Sequence, residues 1–445
     1  MDFKISIILP SLNVVDYISE CIESVLAQTL SEIEIICVDA FSSDGTYETL
    51  EKYAKQDNRI KLLHSEKKSY GKQVNMGVSI AEGKYIAIVE TDDFVSNKMY
   101  EDLYHLAEAN DADYAKANYD SFITLKSGSR LYTQHNLFYK KDELYENVLK
   151  PGDKLEIFKY DTAIWKGIYN RSFLQKNNIV FNETSGAAFQ DIGFMLHVLC
   201  KAQRAVYTKE SFYRYRMDRE ESSSNNLNGL KYAYQEFKRL YSIELLGRNI
   251  KDKNLQGIYG RMGVAFLDEI DKLLKYYGNL KRTWAKEIEK YYEWFCDELK
   301  GAMAQGVLTQ NCYTENEWFK LRLLLHSFSG YADYMFVQNQ IFAESEIDFL
   351  QGIAHKKIII FGSGLLGKRA YERLCRKNIE IVAFCDNNSS IWGNRIGDIE
   401  VKSPMECIKG YGNAHYLIAC KEGNVAILNQ LLDSGIEKEN IQIFC

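Results

Sequence analysis

Tyr85-Ile86-Ala87-Ile88-Val89-Glu90-Thr91-Asp92-Asp93 is the stretch on which the fold turns. An unbroken apolar run this short fits a strand buried on both faces, as in parallel sheets flanked by helices. Acids follow it at once. A carboxylate set directly behind such a strand loses hydration, and only a partner or a ligand offsets that cost. The carboxyl edge of an open α/β sheet is also where ligands bind.

Working outward, short apolar runs at 4–9, 34–38, 60–63 and 114–117 read as further strands, alternating with amphipathic helices at 47–54, 73–81 and 98–109. The helix after the first strand places Ile18, Ile22, Val25 and Leu26 at a spacing near 3.6. Gly83 ends a helix just before the 85–89 strand. The first strand ends in Pro10-Ser11-Leu12-Asn13, and the second in Asp39, followed by Ser42-Ser43-Asp44-Gly45-Thr46. Three strand ends thus meet at one crevice, and two of them bring carboxylates. Asp44 and Asp93 also read as helix caps. Asp39 and Asp92 have no such ordinary explanation.

The chain has 445 residues, 46% hydrophobic and 26% charged, which suits about three domains with sizeable cores. Boundaries are expected at 1–226, 227–350 and 351–445. With only Pro10, Pro151 and Pro404, proline-rich linkers are excluded. The net charge of −6 excludes a broadly basic nucleic-acid footprint. No run of about 18 apolar residues suggests a transmembrane helix, and no leader pattern opens the chain. Ten scattered cysteines without C-x-x-C spacing argue against structural zinc. They read as reduced, buried thiols, Cys37, Cys385 and Cys420 among them, and place the chain in the cytoplasm, free or peripheral to a membrane.

Residues 120–185 read as irregular. A helix pattern returns at Asp191 with Ile192, Met195, Leu196 and Leu199, and 211–226 reads as a polar loop or domain edge. Residues 227–350 read as helical and aromatic-rich, either a packed bundle or a partner- or acceptor-binding surface. Near the C-terminus, the 357–361 strand leads into Gly362-Ser363-Gly364-Leu365-Leu366-Gly367, a helix, a second strand at 381–385 and Asp386. That order matches a dinucleotide-binding βαβ unit. Asp386-Asn387-Asn388 and the run through Trp392-Gly393 resemble small Rossmann-like domains attached to sugar-processing enzymes, which do not always bind a cofactor. The structural role is the preferred reading, ahead of a bound nucleotide.

Five pieces in order carry a family resemblance: Ile7-Ile8-Leu9-Pro10 with Asn13 and Tyr17; Val38-Asp39 with Ser42 to Thr46; Gly71, Asn75 and Gly77; Glu90-Thr91-Asp92-Asp93; and Gln190-Asp191. The first 225 or so residues resemble family 2 glycosyltransferases of the GT-A fold. The resemblance implies an α/β chain with a GT-A mixed sheet, a helical middle and a C-terminal Rossmann-like domain. It also implies roles. Asp39 accepts a hydrogen bond from the uracil of a UDP-sugar, while Pro10 and Asn13 wall the nucleotide pocket. Asn75 lies near the diphosphate or ribose. Lys72 faces either the diphosphate or solvent. Glu90, Thr91 and Asp92 stand in the place of an Asp-x-Asp. Asp92 would bind Mg²⁺ or Mn²⁺, a hard cation suited to a diphosphate leaving group. Glu90 departs from the usual Asp, and Ala40 and Phe41 depart from the usual Asp and Gly. Asp191 takes the position of the catalytic base, with an N-cap as the ordinary alternative. Trp165 either stacks on an acceptor sugar or is buried. Arg214 or Arg216 either neutralises the departing diphosphate or belongs to a solvated turn.

The expected function is inverting, metal-dependent hexosyl transfer from a UDP-sugar to a hydroxyl of a saccharide, lipid-linked or protein-linked glycan, in polysaccharide or glycoprotein assembly. A homo-oligomer remains open. One competing reading is a sugar-nucleotide nucleotidyltransferase, disfavoured because Pro10-Ser11-Leu12-Asn13 carries no glycine or base for a triphosphate. The other is a non-catalytic nucleotide-binding scaffold, with Glu90 marking a decayed site.

Overall fold

The computed structural model describes residues 3–125, 128–138, 140–219, 228–247, 254–277, 286–338, 353, 356–412, 414–420 and 424–444. The chain divides into two compact units. The first comprises 1–119, 136–215 and 219–337; the second comprises 120–135, 216–218 and 338–445. The expected boundaries near 226 and 350 fall outside the described residues.

The first unit starts with alternating strands and helices: β1 (Ile5–Ser11), α1 (Val15–Leu26), β2 (Ile33–Asp39), α2 (Thr46–Gln56), β3 (Ile60–His64), α3 (Tyr70–Ile80) and β4 (Tyr85–Ile88). After these come β5 (Phe94–Val95), α4 (Met99–Ala109), β6 (Tyr114–Thr124), β7 (Arg130–His135), α5 (Leu155–Tyr160), β8 (Gly167–Asn170), α6 (Arg171–Lys176), α7 (Gln190–Lys201) and β9 (Ala205–Arg216). The sheet order is β3-β2-β1-β4-β8-β6-β9-β5. The first four strands run parallel, and β8 is antiparallel to both β4 and β6. This is the mixed sheet that was expected.

Residues 120–185 are more regular than their composition suggests. Strand β6 runs on to Thr124, and β7, α5, β8 and α6 all fall within this stretch. Its strands are short or polar on one face, which blurs the apolar signal. Ser211 to Arg216 also form strand, the end of β9, rather than loop; Ser222 to Asn226 lie outside the described residues.

Both faces of the sheet are covered. Ile5, Ile7 and Leu9 pack with Ile18, Ile22 and Val25 of α1 and Leu103 of α4. Ile8, Ile86 and Ile88 point the other way, into a core with Val74 of α3 and the helices that follow. Those helices are α8 (Gly229–Ser242), α9 (Leu255–Tyr277), α10 (Lys286–Ala304) and α11 (Glu315–His326). Phe237, Leu240, Phe266 and Phe295 are buried in that second core, so the aromatic richness of this region serves packing.

The second unit holds β10 (Ile358–Phe361), α12 (Leu365–Arg376), β11 (Ile381–Cys385), β12 (Arg395–Ile396), β13 (Ile399–Lys402), α13 (Pro404–Gly410), β14 (His415–Ile418), α14 (Asn424–Asp433) and β15 (Ile441–Ile443). Its sheet, β12-β13-β11-β10-β14-β15, is parallel except for β12. Its core takes in Ile123 and Leu131 from the β6–β7 segment, beside Ile360, Tyr371 and Leu374. Helix α12 sits close on its loop: a Cβ at Gly367 would lie 1.9 Å from the Gly362 carbonyl oxygen.

Candidate active site

Because β1, β2 and β4 are parallel neighbours, their carboxyl ends share one edge, with Ser11 level with Asp39. A cavity of about 690 Å³ opens there. Pro10 and Ser11 line it from β1, Glu90, Thr91 and Asp92 from the turn after β4, and Gln190 and Asp191 from the start of α7. Gln73 fixes the edge by donating from Nε2 to the carbonyls of Ser11 (2.8 Å) and Val38 (2.7 Å). Thr91 Oγ1 ties the acidic turn to the carbonyl of Pro10 at 3.0 Å.

The acids differ in environment. Tyr70 donates to Glu90 Oε1 at 2.5 Å. Burial, reinforced by the charges of Asp92 and Asp191, pushes Glu90 up to about 8. Asp92 is instead held by Arg219, whose Nη1 donates to Oδ2 at 2.8 Å. Asp93 is buried and accepts from Tyr213 Oη at 2.9 Å, so it supports the turn and caps no helix.

Asp191 is the second residue of α7, behind Phe189 in the left-handed region (φ 66°). Gln190 Nε2 donates to Thr184 Oγ1 at 2.9 Å, and its Oε1 accepts from the Ala188 amide at 2.6 Å. This clamps the loop in front of the helix. Burial raises Asp191 above the usual carboxylate range, while the Ile192 amide and the charges of Arg261 and Lys116 oppose the rise. Lys116 is itself fully buried, 2.7 Å from Asp161 Oδ1, and burial lowers it to about 8. Trp165 is half-buried, lines the cavity, and stacks on Tyr213 (4.2 Å between centroids) and Tyr215 (5.5 Å).

Other expected residues lie outside this cavity lining. Asp39 is fully buried; its Oδ2 accepts from the Ser42 amide at 3.0 Å, and its Oδ1 has no hydrogen-bond partner among the described residues. Beside it, His64 stacks on Tyr47 at 4.1 Å and on Phe41 at 5.7 Å. Asn13, at φ 51°, spans Ser42 Oγ and the Ser43 amide and so ties two loops together. Asn75 is committed to the Phe181 main chain in both directions, each bond 2.9 Å. Lys72 stands 3.4 Å from Glu183, and the lysines that line the cavity are Lys68 and Lys272. Arg214 donates to the carbonyls of Ser211 and Tyr213, and Arg216 lies over Phe122. Neither lines the cavity; Arg219 does.

Helix α9 supplies a wall that the sequence reading missed: Arg261, Ala265, Asp268, Glu269 and Lys272. Their offsets of 4, 7, 8 and 11 residues mark one face of a helix. Charged positions at that spacing within an otherwise apolar helix were the available signal.

Residues 6–170 match the family model described as glycosyl transferase family 2, and residues 354–442 match one described as C2185-like, N-terminal. An uncharacterized glycosyltransferase of Escherichia coli K12, YibD, is 31% identical over 258 residues, covering 56% of this chain and 73% of that protein. The chain belongs to the family 2 glycosyltransferases. The glycosyltransferase GlyG of Streptococcus pneumoniae serotype 4 is 29% identical to the enzyme over 304 residues, 67% of this chain and 96% of the relative. Residues 1–349 of S. aureus TarS, solved in complex with UDP-GlcNAc, superpose on this glycosyltransferase with a TM-score of 0.53 at 19% identity, covering 79% of this chain and 92% of that one. That likeness shows the fold. Among the described residues of the enzyme, no helix is long and apolar enough to cross a membrane.

In the second unit, Asp386 is occupied by its own loop. Oδ2 accepts from the Ser363 amide (2.9 Å) and hydroxyl (2.6 Å), and Oδ1 accepts from the Asn388 amide (2.9 Å). Asp386 therefore pins the glycine-rich turn.

Proposed function

We propose that the enzyme transfers a hexose, with inversion, from a UDP-sugar to an acceptor hydroxyl, using Asp191 as the base. The observation that carries this reading is the shared cavity, which has Glu90 and Asp92 on one wall and Asp191 on another. The complex of the related fold with UDP-GlcNAc favours a uridine donor for this chain as well. Asp39 Oδ1, buried and unpartnered, is an acceptor suited to the N3–H of uracil, and the His64 stack suits the flat face of a base.

Asp92 fits a divalent cation, being a hard oxygen donor on the cavity wall. Among the described residues no three potential ligands cluster, so the protein would supply Asp92 and the diphosphate would complete the shell. When bound, the cation would offset the charge that grows on the diphosphate. Glu90, whose proton affinity burial raises, accepts from Tyr70 beside it. Arg219 is placed to exchange Asp92 for a phosphate oxygen. Asp191, raised by burial, takes the proton of the attacking hydroxyl as that oxygen reaches the anomeric carbon. Trp165 offers a ring to the sugar. The acceptor is a glycan in polysaccharide or glycoprotein assembly. The second unit acts as a Rossmann-like structural domain, and the enzyme works in the cytoplasm.

The test is a panel of UDP-, GDP- and CDP-sugars with the full chain, with Mn²⁺ or with EDTA, scored by nucleoside diphosphate release and by the anomer of any product. Release from a UDP-sugar that needs the metal is expected. Asp191→Asn should lower turnover about 10²- to 10⁴-fold while UDP still binds. A response confined to GDP- or CDP-sugars would overturn the base assignment.

A further inference from the structure

We infer that Arg261 anchors an anionic group carried by the acceptor, a phosphate or a carboxylate, on the Asp191 side of the cavity. The inference rests on the donor and base assignments above and names the acceptor class they leave open.

The cavity contains four cations: Lys68, Arg219, Arg261 and Lys272. Two have partners. Arg219 holds Asp92 at 2.8 Å, and Lys272 holds Glu269 at 2.6 Å. The Arg261 side chain makes no hydrogen bond or ion pair among the described residues, and its Nε is buried without a partner. A buried guanidinium N–H left in that state is costly. Burial lowers its proton affinity, and only the more distant charges of Asp268, Asp191 and Glu317 act against this. Ala265, one turn along α9, presents only a methyl group beside it. The planar fork of a guanidinium matches the paired oxygens of a phosphate or carboxylate.

The side of the cavity follows from the neighbouring charges. Those bearing on Arg261 include Asp191, whereas the cation bearing on Glu90 is Arg219. Arg219 therefore serves the diphosphate end, and Arg261 faces the end where the base meets the incoming hydroxyl. A sugar or polyol with an oxyanion near its nucleophilic hydroxyl would be held by Arg261 while Asp191 takes the proton. A neutral glycan would offer hydroxyl oxygens but not the negative charge or the paired acceptors.

The test is calorimetry on the full chain saturated with UDP and Mg²⁺, titrated with methyl phosphate, glucuronate and neutral methyl glucoside. At least one anion should bind about tenfold or more tightly than the neutral glycoside. Binding of only the phosphate or only the uronate identifies which oxyanion the acceptor carries. Arg261→Gln should raise that anion's Kd about tenfold or more while UDP affinity stays unchanged. Arg261→Lys, which keeps the charge and loses the fork, should weaken it about threefold and serves where the glutamine variant does not fold. Equal binding of the neutral glycoside overturns the proposal, as does an anion affinity indifferent to both substitutions. Anions that displace UDP would assign Arg261 to the donor diphosphate and also overturn it. If UDP fails to bind the unaltered enzyme, the donor reading is what has failed, and the anion titration without UDP still reports on Arg261.

Discussion

At the scale of single residues, the site is built from carboxylates placed in unequal surroundings. Asp92 is matched by a cation, Glu90 by a phenol, and Asp191 by the Ile192 amide and by more distant charges. Asp39 has one oxygen committed to a backbone amide and the other waiting. Asp39→Asn should therefore raise the Kd for UDP about tenfold by calorimetry, because an amide pointed at N3–H can present a donor instead of an acceptor. An unchanged Kd would show that Oδ1 does not meet the base. Arg219→Gln frees Asp92 from its ion pair; with the phosphate contact also lost, UDP should bind more weakly and show a smaller dependence on salt. A variant that binds UDP more tightly would mean that Arg219 only blocks the acid.

At the scale of elements, two features around α3 and α7 can be measured. A Cβ at Gly71 would lie 1.9 Å from the carbonyl oxygen of Asn182, so Gly71→Ala must push the 181–188 segment away from α3. A loss of about 3 kcal/mol in denaturant unfolding is expected, with turnover falling as well because that segment leads into Asp191. His197, on α7, is buried with an unpartnered Nδ1, and burial lowers it to about 4 from 6.5. The unfolded chain takes up this proton below pH 6.5, whereas the folded chain resists it. Stability linked to His197 is thus complete above pH 6.5 and lost as pH falls through 4. The melting temperature of His197→Leu should fall less steeply over that window than that of the unaltered enzyme; parallel curves would refute the assignment. The same elements show what a sequence reveals. Strands β1, β2 and β4 stood out because burial on both faces writes an apolar run. The edge acids stood out because such a run leaves them no ordinary role. Strands β7 and β8 were missed, since short or half-polar strands carry no comparable signal. Lys72, Asn75, Arg214 and Arg216 showed residue type without direction, and side-chain direction decided which basic groups line the cavity. Arg261 was hidden for another reason: it comes from a helix outside the stretch that carried the resemblance, and only tertiary packing brings it to the sheet edge.

At the scale of the whole molecule, the two units answer to different tests. Asp386→Asn should loosen the turn at Ser363 and lower the melting temperature while leaving UDP binding unchanged; loss of UDP binding instead would tie the second unit to the donor site. The second unit is also drawn from three separate stretches of chain, the 120–135 segment and residues 216–218 among them. Ile123 and Leu131, encoded far upstream, are part of its core. A stop codon after residue 337 would consequently not deliver a clean catalytic fragment. It would strip the cover from greasy side chains in a hairpin the fragment still carries, and such a product belongs in the insoluble pellet.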